Sequence, residues 1–175
     1  YKTHQGAYGE SEGGAGFFGD LSVRDNIIRN AVLMGMSWRQ AETLAPEIAR
    51  FAGIPASLDE ILRTLSRADT RCIGYATALH AQPTLFVADE ELVVGPSSLR
   101  EAGLERMASF PDDNHALLVA TNKANLLRRL CTRAIVLENG RVTFDGDLEV
   151  GLAHFRRPHR TADPDDAGDQ DEGST

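Results

Sequence analysis

Two adjacent carboxylates follow a short apolar run near the middle of the chain. The run comprises residues 84–88 (TLFVA), and Asp89 and Glu90 come directly after it. Nucleotide hydrolases use such a pair, in which the first carboxylate reaches a magnesium ion and the second polarises the attacking water. We therefore take Asp89 as a candidate metal ligand and Glu90 as a candidate base. The alternative is that these two acids only end a strand.

A second apolar run, residues 116–120 (ALLVA), ends at Thr121 and Asn122. Runs this short and this continuously apolar are typical of strands in a sheet that helices cover on both faces. In mainly parallel sheets, the chemistry gathers just beyond the carboxyl ends of the strands. We therefore expect Asp89, Glu90 and Asn122 to lie along one edge of a sheet.

Helical periodicity dominates the chain ahead of these strands, between residues 20 and 82. Ser22 with Asp25, and Ser37 with Gln40, have the three-residue spacing of helix caps. Each pair therefore predicts the first turn of a helix.

Proline and glycine mark the limits of further elements. Pro46 predicts a kink or restart in the second helix, and Gly53 predicts its end. An apolar run at residues 134–137 turns at Asn139-Gly140 into residues 142–144, which predicts a hairpin. Other helical segments are predicted at residues 58–62, 68–79, 98–110 and 123–130.

Residues 14–19 (GAGFFG) match the dinucleotide-binding pattern G-x-G-x-x-G by letter. That pattern binds a pyrophosphate only between a strand and a helix. Residues 8–13 (YGESEG) precede it here and have no strand character. We therefore interpret residues 1–19 as an irregular, Gly-rich segment.

The composition limits the classes of partner. The chain has 175 residues, with 18 basic against 26 acidic residues and a formal net charge of −8, which argues against a general nucleic-acid binder. Six acids and no base fall in the last thirteen residues, so residues 156–175 are expected to form a small basic cluster and a disordered acidic tail.

Cys72 and Cys131 lack a paired spacing, which favours reduced thiols. No apolar run approaches the roughly 20 residues of a membrane span.

In their order and spacing, these motifs resemble the ATP-binding cassette (ABC) ATPases, and in particular the branch that serves capsular and O-antigen polysaccharide exporters. Residues 16–26 (GFFGDLSVRDN) are similar to a family segment that opens a helix with an acid-Asn pair. Residues 65–69 (LSRAD) stand where the family has its signature motif. Residues 93–95 follow the acidic pair as in the family, and residues 130–146 are very like its closing hairpin.

The resemblance implies a partial ABC-ATPase fold, which is P-loop NTPase-like. This is an α/β fold with a mainly parallel sheet, flanking helices, a helical subdomain and a C-terminal β-hairpin. It divides the chain into the Gly-rich segment (1–19), the helical subdomain with a degenerate signature motif (20–82), an α/β core with a Walker B-like strand (83–155) and the terminal tail (156–175).

The resemblance also implies roles for the residues that follow the strands, with ATP and Mg²⁺ as cofactors. Asp89 would reach the metal and Glu90 would act as the catalytic base. Asn122 stands in the place of the family's switch histidine. An amide can hydrogen-bond a phosphate but cannot take up a proton near neutral pH. Glu90 and Asn122 are the candidate catalytic residues, and Asp89 is the candidate metal ligand.

The signature position departs further from the family. Ser66 keeps the hydroxyl, but Arg67 and Ala68 replace glycines whose backbone approaches the γ-phosphate held by the partner subunit. Ser66, Arg67 and Ala68 are therefore candidates for a weakened nucleotide-binding site. The phosphate-gripping Walker A motif, G-x-x-x-x-G-K-[ST], has no counterpart in these residues, which contain no Gly-Lys pair. Without its backbone N–H groups and lysine, the β- and γ-phosphates lose their main anchor.

Three interpretations follow. The chain is an assembly or regulatory half-site of a polysaccharide exporter, impaired in ATP hydrolysis; or it is an ATPase subunit truncated ahead of its Walker A loop; or it is a decayed cassette with no transport role.

The resemblance implies a cytoplasmic protein, peripheral at the inner face of the plasma membrane. It would dock on a membrane permease around residues 17–26, pair with a second ABC subunit and bind no nucleic acid. Because the family's first strand has no counterpart here, we expect a partner or a second copy to cover the open sheet.

Overall fold

The computed structural model describes residues 16–89, 94–112 and 114–155. Glu90, Val93, most of segment 1–19 and the tail 156–175 lie outside the described residues. The α-helices in the described ranges are α1 Val23–Leu33, α2 Trp38–Phe51, α3 Arg67–Ala81, α4 Ser97–Ala108, α5 Ala124–Leu130 and α6 Leu148–Phe155. Single 3-10 turns occur at Pro55–Ser57 and Leu62–Thr64. The strands are β1 Leu85–Ala88, β2 Ala116–Val119, β3 Arg133–Glu138 and β4 Arg141–Asp147.

The chain divides into two compact units, residues 1–132 and residues 133–175. The first unit contains α1 to α5 with β1 and β2, and the second contains the β3–β4 hairpin and α6. Among the described residues, no helix is both long enough and apolar enough to cross a membrane.

Both predicted helix starts are confirmed. The Ser22 hydroxyl accepts a hydrogen bond from the backbone N–H of Asp25 at the start of α1. Ser37 and Gln40 form a reciprocal capping box at the start of α2. The predicted restart at Pro46 is wrong, because α2 continues through this residue. Pro46 is exposed, so the carbonyl that it leaves without an N–H donor can face water.

The prediction of a helical piece at residues 58–62 is also wrong. This segment runs between the two 3-10 turns and pairs with the start of α1. The Val23 N–H donates to the Glu60 carbonyl at 2.9 Å, and the Leu62 N–H donates to the Leu21 carbonyl at 2.9 Å. Because these backbone groups bond to a distant part of the chain, they are not free to form an α-helix.

The core of the first unit lies where α1, α2 and α3 pack together. Val23, Ile27, Ile48, Ile73 and Leu79 are each fully buried there. Burial of such side chains contributes about 1.5–3 kcal/mol each to stability. These contacts therefore hold the three helices together.

The parallel sheet formed by β1 and β2 confirms the α/β class. Its register pairs Leu85 with Ala116 and Ala88 with Val119. The expectation that helices cover both faces is wrong for the described residues: Phe86 and Ala88 are buried, but Leu85, Val87 and Leu118 are 44%, 48% and 52% exposed. One face of this sheet is therefore apolar and open. 

The second unit is the predicted hairpin with one helix that the sequence did not predict. β3 and β4 are antiparallel, and Asn139 and Gly140 between them both have positive φ, at 51° and 76°. Two-residue hairpin loops of type I′ require positive φ at both positions. Helix α6 packs so closely that a Cβ on Gly151 would lie 2.7 Å from the Cβ of Ala134.

Candidate functional site

Two groups of predicted site residues occur in the first unit, and the first group lies at the carboxyl edge of the β1–β2 sheet. The Ala120 N–H donates to the Ala88 carbonyl at 2.8 Å, so the two chains leave the sheet side by side. Asp89 follows Ala88 directly, and Asn122 comes two residues after Ala120. The expected edge is confirmed for Asp89 and Asn122, whereas Glu90 lies outside the described residues.

The turn after β2 is ordered by Thr121. Its hydroxyl oxygen accepts a hydrogen bond from the Lys123 N–H at 3.2 Å, just ahead of α5. Asn122 and Asp89 are both exposed. Their side chains can therefore meet a solute at this edge.

The second group lies at the start of α3. Ser66 is the N-cap, and its hydroxyl oxygen accepts from the Asp69 N–H at 3.1 Å. The same hydroxyl donates to the Asp69 carboxylate at 2.7 Å. Arg67 and Ala68 are exposed in the first helical turn. The side-chain hydrogen bonds described for Ser66 thus stay within its own turn.

Asp69 is the residue that sequence reasoning missed at this site. The Ser-x-x-acid spacing of Ser66 and Asp69 is the same as that of Ser22 and Asp25, which we had interpreted as a cap. The sequence therefore contained the signal for a helix cap, but we interpreted residues 65–69 only as a degenerate signature motif that binds nucleotide. The helix N-terminus attracts negative charge, and here Asp69 already supplies one.

The described residues do not make up a complete site for ATP and Mg²⁺. In the ranges that the structure describes, no group of three or more His, Cys, Asp or Glu side chains could hold a metal ion. Asp89 is a suitable oxygen ligand, but the start of α3 presents the Asp69 carboxylate where a phosphate would bring like charge.

A third feature lies next to the start of α1. Phe18 is 53% exposed, and the guanidinium carbon of Arg29 lies 5.9 Å from the centre of its ring. Arg24, in the first turn of α1, forms an ion pair with Asp59 at 3.1 Å. The Arg29 guanidinium thus lies within cation–π range of an exposed aromatic ring.

Comparison with known proteins finds exporter subunits by sequence, although no family model matches the chain. The O-antigen export system ATP-binding protein RfbB of Myxococcus xanthus is 29% identical over 143 residues, which cover 82% of this chain and 33% of that protein. The teichoic acids export ATP-binding protein TagH of Bacillus cereus is 28% identical over 142 residues, covering 81% and 26% respectively. RfbB of Klebsiella pneumoniae is 26% identical over 147 residues, covering 84% and 60%.

Solved structures agree with these relatives. One described as the ATP-binding subunit of an ABC transporter has a TM-score of 0.65 at 23% identity, covering 79% of this chain and 58% of its own. The chain has the fold of the ABC ATPases. A dimeric ATP-binding cassette bound to ADP and Pi superposes on this ABC-type chain with a TM-score of 0.55 at 20% identity, covering 75% and 58%.

These comparisons confirm the resemblance to ATP-binding subunits of O-antigen and related exporters. The ABC-type chain spans from 26% to 60% of the length of the three relatives.

Proposed function

We propose that this chain is an ATP-binding-subunit-like component of a polysaccharide export system, which docks on a membrane permease and hydrolyses little or no ATP by itself. The observation that carries the proposal is the start of α3, where Asp69 binds the Ser66 hydroxyl at 2.7 Å. The chain would then act as an assembly or regulatory half-site at the cytoplasmic face of the membrane. A second ABC subunit would pair with it.

The impairment follows from charge and backbone access. A phosphate needs N–H groups or cations and is repelled by carboxylates. At the start of α3, side chains of Arg67 and Ala68 occupy positions where glycines would let the backbone approach, and Asp69 adds a negative charge. Arg67 can attract a phosphate, which weakens this effect without removing it.

The permease would bind the surface around residues 17–26. Support for this surface comes from Phe18, whose exposed ring is backed by Arg29. An apolar pocket with an acidic residue at its rim would complement this pair, because the ring would be desolvated and the guanidinium would gain a partner.

A second candidate is an ATPase subunit whose phosphate-gripping segment comes from a further stretch of chain. The open apolar face of the β1–β2 sheet favours this alternative, since helices from a further stretch of chain would bury Leu85, Val87 and Leu118. Magnesium-dependent ATP hydrolysis by a longer chain carrying a Walker A loop would support this candidate against the first.

The permease proposal is tested by co-purification. Each polysaccharide-exporter permease of the source genome is expressed with the tagged full chain, solubilised in detergent and quantified in the eluate. We expect one permease to be captured, and Phe18→Asp to lower its capture about tenfold, the effect of losing a central aromatic contact. Phe155→Asp is the matched control, because Phe155 is 56% exposed on α6 against 53% for Phe18.

Two outcomes would overturn the proposal. Capture of no permease by the wild-type chain would favour a decayed cassette without a transport role. Equal loss of capture in Phe18→Asp and Phe155→Asp would show that the surface around Phe18 is not the docking site.

A further inference from the structure

Residues 16–21 form an irregular segment whose backbone is nevertheless held by a buried side chain. Asn26 is fully buried on α1. Its amide oxygen accepts from the Phe18 N–H at 2.7 Å, and its amide nitrogen donates to the Phe18 carbonyl at 3.0 Å and the Ser22 carbonyl at 2.9 Å. One side chain thus replaces the hydrogen bonds that a neighbouring strand would give.

A second asparagine extends this arrangement by one helical turn. The Asn30 amide donates to the Gly16 carbonyl at 3.0 Å and to the Asn26 carbonyl at 3.1 Å. Gly16 has a φ of +85°, and a Cβ there would lie 2.9 Å from the Asn30 amide oxygen. Both the positive φ and the close approach therefore require glycine.

The opposite side of the segment is held by residues that precede α3. The Arg63 N–H donates to the Gly19 carbonyl at 3.0 Å, and the Leu62 N–H donates to the Leu21 carbonyl at 2.9 Å. The side chains of Asp20 and Arg63 also form an ion pair. Residues 16–21 are thus fixed from both sides, while the Phe18 ring remains exposed.

Helix capping does not explain the two asparagines, because Ser22 already caps α1. Asn26 and Asn30 bond chiefly to the segment outside the helix. A segment that is ordered before binding loses less conformational entropy when a partner arrives. The arrangement is that of a preorganised binding loop.

We propose that Asn26 and Asn30 are positioning residues that hold residues 16–21 in the one conformation that a partner recognises through Phe18. The inference rests on the permease docking proposed above and adds which residues prepare the docking segment. Neither asparagine would touch the partner, because both are buried.

The first test uses amide hydrogen exchange of the full chain and needs no partner. Asn30→Ala removes the two hydrogen bonds that the Asn30 amide donates to the Gly16 and Asn26 carbonyls. Gly16→Ala disturbs the bond to Gly16 from its other end, because the new Cβ would lie 2.9 Å from the Asn30 amide oxygen. In both variants we expect the Phe18 amide to exchange about tenfold faster relative to the buried Met107 amide of α4, the factor for one net hydrogen bond. Unchanged relative protection in both variants would overturn the proposal.

Each variant has a matched control. Thr77→Ala also truncates a buried polar side chain, since Thr77 is fully buried and donates to the Ile73 carbonyl at 2.8 Å. Gly53→Ala places the same strain at a φ of +84°, with no atom within 4 Å of the new Cβ. We expect neither control to change the exchange of Phe18 relative to Met107.

The second test measures affinity for the permease that the wild-type chain captures, reconstituted in nanodiscs. We expect Asn30→Ala and Gly16→Ala to bind about tenfold more weakly than controls of equal unfolding free energy. Faster Phe18 exchange with unchanged affinity would overturn the positioning role and leave the permease docking intact. Capture of no permease by the wild-type chain would overturn both.

Discussion

The Ser66 hydroxyl donates a 2.7 Å hydrogen bond to the Asp69 carboxylate, and the Asp69 N–H donates back to the Ser66 oxygen at 3.1 Å. These two residues stabilise the first turn of α3 and place a negative charge at the positive end of the helix dipole. A nucleotide phosphate would have to compete with that carboxylate. In the proposed half-site, the contact that stabilises the helix therefore also disfavours a phosphate at this position.

Ser66→Ala tests the stabilising half of this relationship. Loss of the N-cap is expected to lower the free energy of unfolding by about 1 kcal/mol, measured by urea denaturation. Ser98→Ala is the matched control, because Ser98 is exposed inside the first turn of α4 and should change stability by less than about 0.5 kcal/mol. Equal effects of the two substitutions would show that Ser66 is not an energetically significant cap.

Gly103→Ala tests the packing of α3 against α4. A Cβ on Gly103 would lie 2.1 Å from the Tyr75 hydroxyl oxygen and 2.7 Å from its ring, so we expect a loss of about 1–3 kcal/mol from overpacking. Among the described residues the Tyr75 hydroxyl is buried without a hydrogen-bond partner. Tyr75→Phe should therefore be neutral or stabilising, and Gly103→Ala should cost less in that background. The same cost in both backgrounds would contradict the contact.

Most short-range features of the fold were predictable from the sequence, whereas several long-range contacts were not. Ser22 and Ser37 identified two helix starts because a cap and its partner lie three residues apart. The prediction of a helix at residues 58–62 was wrong because the hydrogen-bond partners of Glu60 and Leu62 lie about forty residues away along the chain. The apolar pattern of β1 likewise could not reveal that Val87 faces an open side of the sheet.

The candidate site was predictable to a similar degree. Parallel pairing of β1 and β2 brings Asp89 and Asn122 to one edge, which follows from strand order and burial pattern. The contact between Ser66 and Asp69 was also predictable, because the two residues have the Ser-x-x-acid spacing of a helix cap. The interpretation of residues 65–69 as a nucleotide site left that spacing unused.

A pH dependence of stability is expected from His80, which is 3% exposed at the end of α3. Its Nδ1 lies 2.7 Å from the Ala76 carbonyl, and its Nε2 lies 3.6 Å from a Glu47 carboxylate oxygen. Burial lowers the pKa of His80, and Arg106 acts in the same direction, whereas the Ala76 carbonyl and Glu47 oppose them. The folded state therefore favours the neutral imidazole.

The sign of this effect follows from linkage. Below about pH 6.5 an unfolded histidine takes up a proton, while folded His80 stays neutral until its lowered pKa is reached. The stabilising contribution is thus complete above about pH 6.5 and is lost as the pH falls below it. We expect His80→Asn, which keeps a donor near Ala76, to lose less unfolding free energy between pH 7 and pH 5 than wild type. An equal or larger loss in the variant would contradict this assignment.

The open face of the β1–β2 sheet predicts self-association of the isolated chain. Leu118 is 52% exposed beside Val87 and Leu85, and contiguous apolar surface of this kind favours burial against another surface. Light scattering at high concentration should find a dimer or larger species, with more monomer in Leu118→Lys. Val150→Lys is the control, since Val150 is 55% exposed on α6. A monodisperse wild-type monomer would contradict this prediction.

The most direct test of the central claim is phosphate release from ATP by the purified chain in the presence of Mg²⁺. We expect the same background rate for the wild type and for Glu90→Gln, because the Asp69 carboxylate opposes a phosphate at the start of α3. Magnesium-dependent turnover by the wild type that Glu90→Gln abolishes would contradict it.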